Sequence, residues 1–181
     1  ESGLFTITGS LIRNALKAVY SEFPEVPIAI RDSFLFPTGN GLFSAVGSKM
    51  TVDNSVIEAG SNAAIRVVNG PAASPLITVR HSTIVNHGDQ SKVALELEAF
   101  NGASFTSSID FVVSDSIIRG FDTPFSRTAP VSGAGRNANL TIKGSNFSPV
   151  GVSVGNGVLD IGSDNINADP LFTGTFDYRL L

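Results

Sequence analysis

Along the whole chain an aliphatic or aromatic residue is followed five positions later by another. The pairs are Ile7 and Ile12, Ile30 and Leu35, Val52 and Ile57, Val79 and Ile84, Val113 and Ile118, Ile142 and Phe147, and Ile161 and Ile166. Each pair encloses a small polar residue in a fixed place: Ser10, Ser33, Ser55, Ser82, Ser116, Ser145 and Asp164. These seven anchors are 23, 22, 27, 34, 29 and 19 residues apart. A constant motif at variable spacing predicts a solenoid whose coils carry loops of unequal length, and argues against helical repeats, whose period is tighter.

The position before the anchor reads Gly9, Asp32, Asn54, His81, Asp115, Gly144 and Ser163. Gly, Asn, Asp and His tolerate positive φ best, so this column predicts a tight corner between two strands. The aliphatic columns three before and two after the anchor then become inward stacks, one layer per coil. The anchors themselves become a ladder of small hydroxyls. A further strand is expected in most coils, around 14–19, 41–46, 62–68, 93–98 and 151–154, with turns at Asn69-Gly70, Asn101-Gly102 and Asn156-Gly157. Residues 11–23 alone also fit an amphipathic helix, with Ile12, Leu16, Val19 and Phe23 on one face. Their register match with 62–68 favours strand.

Two or three short strands per coil predict an all-β parallel β-helix of about seven coils, roughly 30 Å tall at the ~4.8 Å strand spacing. Residues 1–181 read as a single domain, with coils over 1–167 and a C-terminal cap over 168–181, where Pro170 ends ladder pairing. The first coil begins by Phe5 with no cap ahead of it. An upstream domain of a larger protein, or a homodimer partner, is expected to cover that end.

Composition narrows the function without naming it. A net charge of −4 leaves no nucleic-acid footprint, and no apolar run is long enough for a membrane helix. The absence of cysteine removes disulfides and thiolate metal sites. With 15% charged residues against 42% hydrophobic ones the chain is too apolar to be disordered.

The Ile/Val-x-x-Ser-x-Ile coil resembles the right-handed parallel β-helices of the pectate-lyase-like superfamily. The closing Asp169-Pro170-Leu171-Phe172 and Asp177-Tyr178-Arg179-Leu180 resemble the end of many secreted bacterial β-helix proteins. Within the superfamily the nearest likeness is to the alginate lyase and chondroitinase B type, some of which carry a second, C-terminal β-helix domain. The resemblance implies a secreted, cell-surface or periplasmic bacterial protein that handles an acidic polysaccharide. It implies an accessory or C-terminal domain for binding or support, with catalysis outside this chain. The alternatives are a polysaccharide lyase in its own right and a structural module of a surface protein or adhesin.

Uronate lyases need a cation to neutralise a carboxylate and a base to take the adjacent proton, often with Ca²⁺. The column two before the anchor supplies candidates: Thr8, Arg31, Asp53, Arg80, Ser114 and Lys143. Arg31, Arg80 and Lys143 are the candidate catalytic and carbohydrate-binding residues, joined by Arg127 for binding. The plainer expectation is a surface ion ladder in which Asp53 neutralises its neighbours. A second outward column reads Lys17, Ser44, Arg66, Glu96 and Ser153, with Arg127 adjoining. Glu96 and Glu98 face one side, but two carboxylates fall short of the usual Ca²⁺ ligand number, so no resident metal is expected. His81 is explained by its corner, and His87 lies in a loop. Asp160, Asp164 and Asp169 read as structural. The excursions at 86–92 and 121–138 are candidate groove walls, where Phe121, Phe125, Arg127 and Arg136 either stack on sugars or cover the helix side.

Overall fold

The computed structural model describes residues 3–22, 26–45, 48–70, 74–86, 93–100, 108–131, 136–174 and 177–180. Among them there are strands and no helices, and every pairing between coils is parallel. The first coil comprises β1 (Phe5–Thr8), β2 (Leu11–Arg13) and β3 (Lys17–Ser21), and the second β4 (Ile28–Arg31), β5 (Phe34–Phe36) and β6 (Asn40–Ser44). The third holds β7 (Lys49–Asp53), β8 (Val56–Ala59) and β9 (Ile65–Val68), and the fourth β10 (Leu76–Arg80), β11 (Thr83–Asn86) and β12 (Val93–Glu98). The fifth holds β13 (Ile109–Ser114), β14 (Ile117–Arg119) and β15 (Thr123–Thr128). Residues 11–21 are therefore strands, not a helix.

Five coils are complete. Beyond them β16 (Ala138–Lys143), β17 (Val152–Val154) and β18 (Leu159–Ile161) continue only two sides, and the remaining side is reduced to single bridges, Ile117 to Asn146 and Asn146 to Ile166. The first side is a seven-stranded sheet from β1 to β18, the second a five-stranded sheet from β2 to β14, and the third a six-stranded sheet from β3 to β17. Seven expected coils thus become five full turns and two partial ones. The chain then forms an antiparallel hairpin, β19 (Phe172–Gly174) with β20 (Asp177–Leu180). Arg119 holds the departing segment by donating to Asn146, to the Asn167 carboxamide oxygen at 2.7 Å and to the Ala168 carbonyl.

The corner between the first two sides carries the regularity. Gly9, Asp32, Asn54, His81, Asp115 and Gly144 all have φ between 46° and 58°, as their residue types predict. The next residue, the anchor, donates its N–H to the anchor hydroxyl of the following coil. Ser10 reaches Ser33 at 3.2 Å, Ser33 reaches Ser55 at 3.1 Å and Ser55 reaches Ser82 at 3.1 Å. Ser82 reaches Ser116 and Ser116 reaches Ser145, both at 3.2 Å. Each hydroxyl in turn donates to the carbonyl two residues back, between 2.7 and 3.0 Å. From the second coil onward the hydroxyl is an acceptor towards one coil and a donor within its own, which satisfies the anchor N–H groups of Ser10, Ser33, Ser55, Ser82 and Ser116.

The inward stacks follow. Ile30, Val52, Val79, Val113 and Ile142 are fully buried beside the corner on the first side, as are Leu35, Ile57, Ile84, Ile118 and Phe147 on the second. A further column, Ile28, Met50, Ile77, Phe111 and Leu140, completes the first side's inner face.

The last coil departs from the expected alignment. Residues 163–164 form a turn that inserts one residue, so Asn165 and not Asp164 takes the anchor's place, its side-chain oxygen accepting from Ser145 N–H at 2.8 Å. Ile166 consequently pairs with Asn146 in the outward column and is 58% exposed rather than stacked inside. A one-residue slip moves a side chain to the opposite face of a strand.

Replacing Ser82 by Ala leaves the buried Ser55 N–H without a partner, and is expected to cost roughly 1–3 kcal/mol in urea unfolding. Ser10→Ala removes only the bond to Thr8 O, because among the described residues no N–H reaches its hydroxyl, and is expected to cost much less. Equal losses at both positions would contradict the ladder.

Candidate functional site

The first sheet's register aligns Thr8, Arg31, Asp53, Arg80, Ser114 and Lys143 on neighbouring strands, so the expected column exists in space. Its charges are largely consumed by one another. Asp53 receives Arg80 at 3.0 Å on one carboxylate oxygen and the His81 ring at 3.0 Å on the other, and Lys143 is 3.0 Å from Asp160. Along the corner, Asn54 donates to Asp32 at 2.6 Å. Arg31 is exposed and makes no ion pair among the described residues. The column is thus mainly an ion ladder, and Arg31, Arg80 and Lys143 do not converge on a common point. The Asp53 carboxyl is held below the ordinary carboxylate range, chiefly by the His81 hydrogen bond, with Arg80 adding to it and burial opposing.

The third sheet's outer face gathers a denser group. Its register sets Tyr20 beside Phe43, Phe43 beside Arg66 and Arg66 beside Glu96. The Tyr20 and Phe43 rings lie 5.3 Å apart at 44°, and the Lys17 ammonium stands 4.1 Å from both centroids. Arg66 lies 5.7 Å from the Phe43 ring, 3.3 Å from Glu96 and 2.7 Å from Glu98. Glu96 and Glu98 are two apart on β12, so alternation brings both carboxylates to one guanidinium. Two ring faces, two cations and two carboxylates therefore share one flat patch. Such a patch can stack on the apolar face of a sugar and bond its hydroxyls.

Of the expected second column only Arg66 and Glu96 share a register; Lys17 pairs with Asn40 and reaches the patch through its side chain. Ser44 points inward and is fully buried, because β6 presents Phe43 outward. Tyr20 and Phe43 were the residues overlooked. Counting back from Arg66 in strand phase would have found both.

Arg127 requires the largest correction. It pairs with Leu97, faces the interior and is 5% exposed. Its guanidinium donates to Ser153 Oγ twice, at 2.9 and 2.6 Å, and to the carbonyls of Ala138, Asn156 and Gly155 at 2.7, 2.9 and 3.3 Å. All five N–H groups are occupied by the chain, and none is left for a sugar. Burial pulls its pKa below the ordinary guanidinium range. Residues 123–128 are a strand and not a groove wall. Phe125 is in the core and Phe121 packs against it, while Arg136 is half-buried.

Among the described residues no three His, Asp or Glu side chains converge to hold a metal ion, and Glu96 and Glu98 instead share Arg66. Asp169 accepts from Leu171 N–H at 3.0 Å, a local structural use. His87, most of the 86–92 excursion and the Asn101-Gly102 turn lie outside the described residues.

Arg127→Met would remove five side-chain bonds, leaving the Asn156 carbonyl only its bond from Ala138 N–H at 3.2 Å, and is expected to cost about 3 kcal/mol or more in urea unfolding, with no loss if the guanidinium were solvated. The Asp53 shift has a defined sign. A depressed folded pKa contributes stability at pH above the unfolded value of 3.8, and loses it as pH falls through the folded pKa. His81→Gly, which keeps a corner-compatible residue, is expected to move the Asp53 midpoint back up towards 3.8 in a carboxyl NMR titration. An unmoved midpoint would assign the shift to Arg80.

Compared with known protein families, with curated proteins and with solved structures, the chain matches none.

Proposed function

We propose that this chain is an accessory, carbohydrate-binding β-helix domain of a secreted bacterial polysaccharide-processing protein, and that turnover of the polymer takes place elsewhere. The observation that supports it is the Tyr20–Phe43 pair on the third sheet's face, with Lys17 above both rings and Arg66, Glu96 and Glu98 beside them. β6, β9 and β12 are each held on both sides by the ladder and β3 on one, so the patch is largely preorganised and loses little freedom when a polymer settles on it. Lys17, Arg31, Arg13 and Lys49 have no carboxylate partner among the described residues, and of these Lys17 is the cation on the aromatic patch available to an acidic polysaccharide. The other cations of the first column, Arg80 and Lys143, are engaged with Asp53 and Asp160, an arrangement that favours contact over proton abstraction.

Affinity electrophoresis or calorimetry with alginate, pectate and chondroitin sulfate checks the proposal, run together with ultraviolet absorbance for unsaturated uronate. Binding without product is expected. Tyr20→Ala should weaken it roughly tenfold, and Glu96→Gln provides a gentler second variant. Phe34→Ala, an exposed aromatic on another side, should leave binding unchanged. Accumulating unsaturated product would instead make the chain a lyase, and neither binding nor product would leave a structural module.

A further inference from the structure

The coil-to-coil interface is repeated down the molecule with the same partners at each step, and the outer end of the first coil presents its unpaired half. Two polar positions define what is missing. In every later coil the residue after the anchor donates its N–H to the preceding anchor's carbonyl. Phe34 reaches Ser10 at 2.8 Å, Val56 reaches Ser33 at 2.9 Å and Thr83 reaches Ser55 at 2.9 Å. The equivalent N–H on the first coil belongs to Leu11 and has no acceptor among the described residues. The Ser10 hydroxyl likewise receives no N–H, although the Ser33, Ser55, Ser82, Ser116 and Ser145 hydroxyls each receive one. In the ladder these two slots are always filled by the N–H and C=O of one residue, the neighbouring coil's anchor.

The side chains complete the description. A groove of about 490 Å³ opens at this end, lined on its inner side by Phe5, Ile7, Ala18, Val19, Val26 and Ile28. Phe5 is 56% exposed, whereas Met50, Ile77 and Phe111, further down the same inward column, are buried. Leu4 and Leu16 are 61% and 68% exposed at the same end. The groove is the interior volume that one more layer of aliphatic side chains would occupy.

We infer that the open end of the first coil seats one further parallel β-coil, not supplied by a second copy of this chain, with its anchor N–H on Ser10 Oγ and its anchor carbonyl on Leu11 N–H. A second copy of this chain fits less well. Stacked head to tail it would offer Asn165, whose N–H is already on Gly162 O at 3.3 Å and which no residue of positive φ precedes. Stacked head to head, its strands would run antiparallel to β1, and an antiparallel ladder spaces its hydrogen bonds differently.

The test extends the full chain by one coil. A copy of residues 27–48 is fused ahead of Leu4, which places the added anchor 22 residues before Ser10, the interval between Ser33 and Ser55. Amide exchange at Leu11 is expected to slow by about tenfold or more, with deep-core amides such as that of Leu95 unchanged. Ser10→Ala should lower the thermal midpoint of the extended protein and have little effect on the parent. A folded extended protein with Leu11 exchange unchanged would overturn the inference. Should the fusion not fold, a synthetic peptide of residues 28–36 is titrated into the parent chain. It should slow Leu11 exchange, and its Ser33→Pro version, which lacks the anchor N–H, should not. Equal behaviour of the two peptides overturns the inference. So does a parent that sediments as a dimer with Leu11 already protected, since a second copy would then occupy the end.

Discussion

The serine hydroxyl at the corner is the interaction on which the other regularities depend. A residue of positive φ turns the chain sharply, and the anchor N–H that follows is met by a hydroxyl one coil along. That hydroxyl is aimed by its own bond to the carbonyl two residues back. The same carbonyl also accepts the preceding coil's corner N–H, as Asp53 O does from Asp32 at 3.3 Å and Arg80 O from Asn54 at 3.3 Å. Both lone pairs are used, and the corner and anchor N–H groups from Asp32 to Ser116 are satisfied. Any shift of register would break these bonds and turn the Ile and Val stacks outward at once, so polar and apolar constraints select one alignment.

This explains what was legible in the sequence. At the corner, residue type reports backbone function directly: only a few side chains accept positive φ, and only a short hydroxyl fits the anchor. Both columns could therefore be read from Gly9 to Gly144, and with them the fold. The third side has no such marker. Its strands are fixed only by alternation, and starting one residue out placed Ser44 where Phe43 stands. β15 was hidden for a related reason, since Pro124 and the polar residues around it mask a strand whose hydrogen bonds come from its neighbours. In the last coil the anchor's task passed to Asn165, whose longer side chain reaches the same N–H from one residue further on.

As the strands run out, side chains take over their hydrogen bonds. Beyond the fifth coil Pro149 and Pro170 limit ladder pairing, and two arginines fill the gap. Arg119 ties the departing tail to the second side, and Arg127 reaches through the interior to three carbonyls around the start of β16 and the end of β17. An arginine suits this task because five fixed N–H donors satisfy several carbonyls that no single strand could reach together. This is also why Arg127 misled as a surface cation. A sequence shows that an arginine is present, but not that three carbonyls and a serine hydroxyl gather around it inside the coil.

The surface charges follow a different logic from the core. The ion pairs of the first column are half-exposed, and exposed pairs of this kind add little stability. Their arrangement is better understood as avoidance. A parallel solenoid forces identical columns into contact at the strand spacing, so a run of like charges would repel along its whole length. Alternating Arg31, Asp53 and Arg80, and placing Asp160 within reach of Lys143, removes that cost. The third side begins differently, with tilted aromatic rings in contact where the first column sets charges, and only then Arg66 and the two glutamates. Contacting rings on adjacent coils satisfy the same spacing rule without neutralising each other. They leave a face with apolar area still to cover, which is the feature that a planar, hydroxyl-rimmed ligand can exploit and an ion ladder cannot.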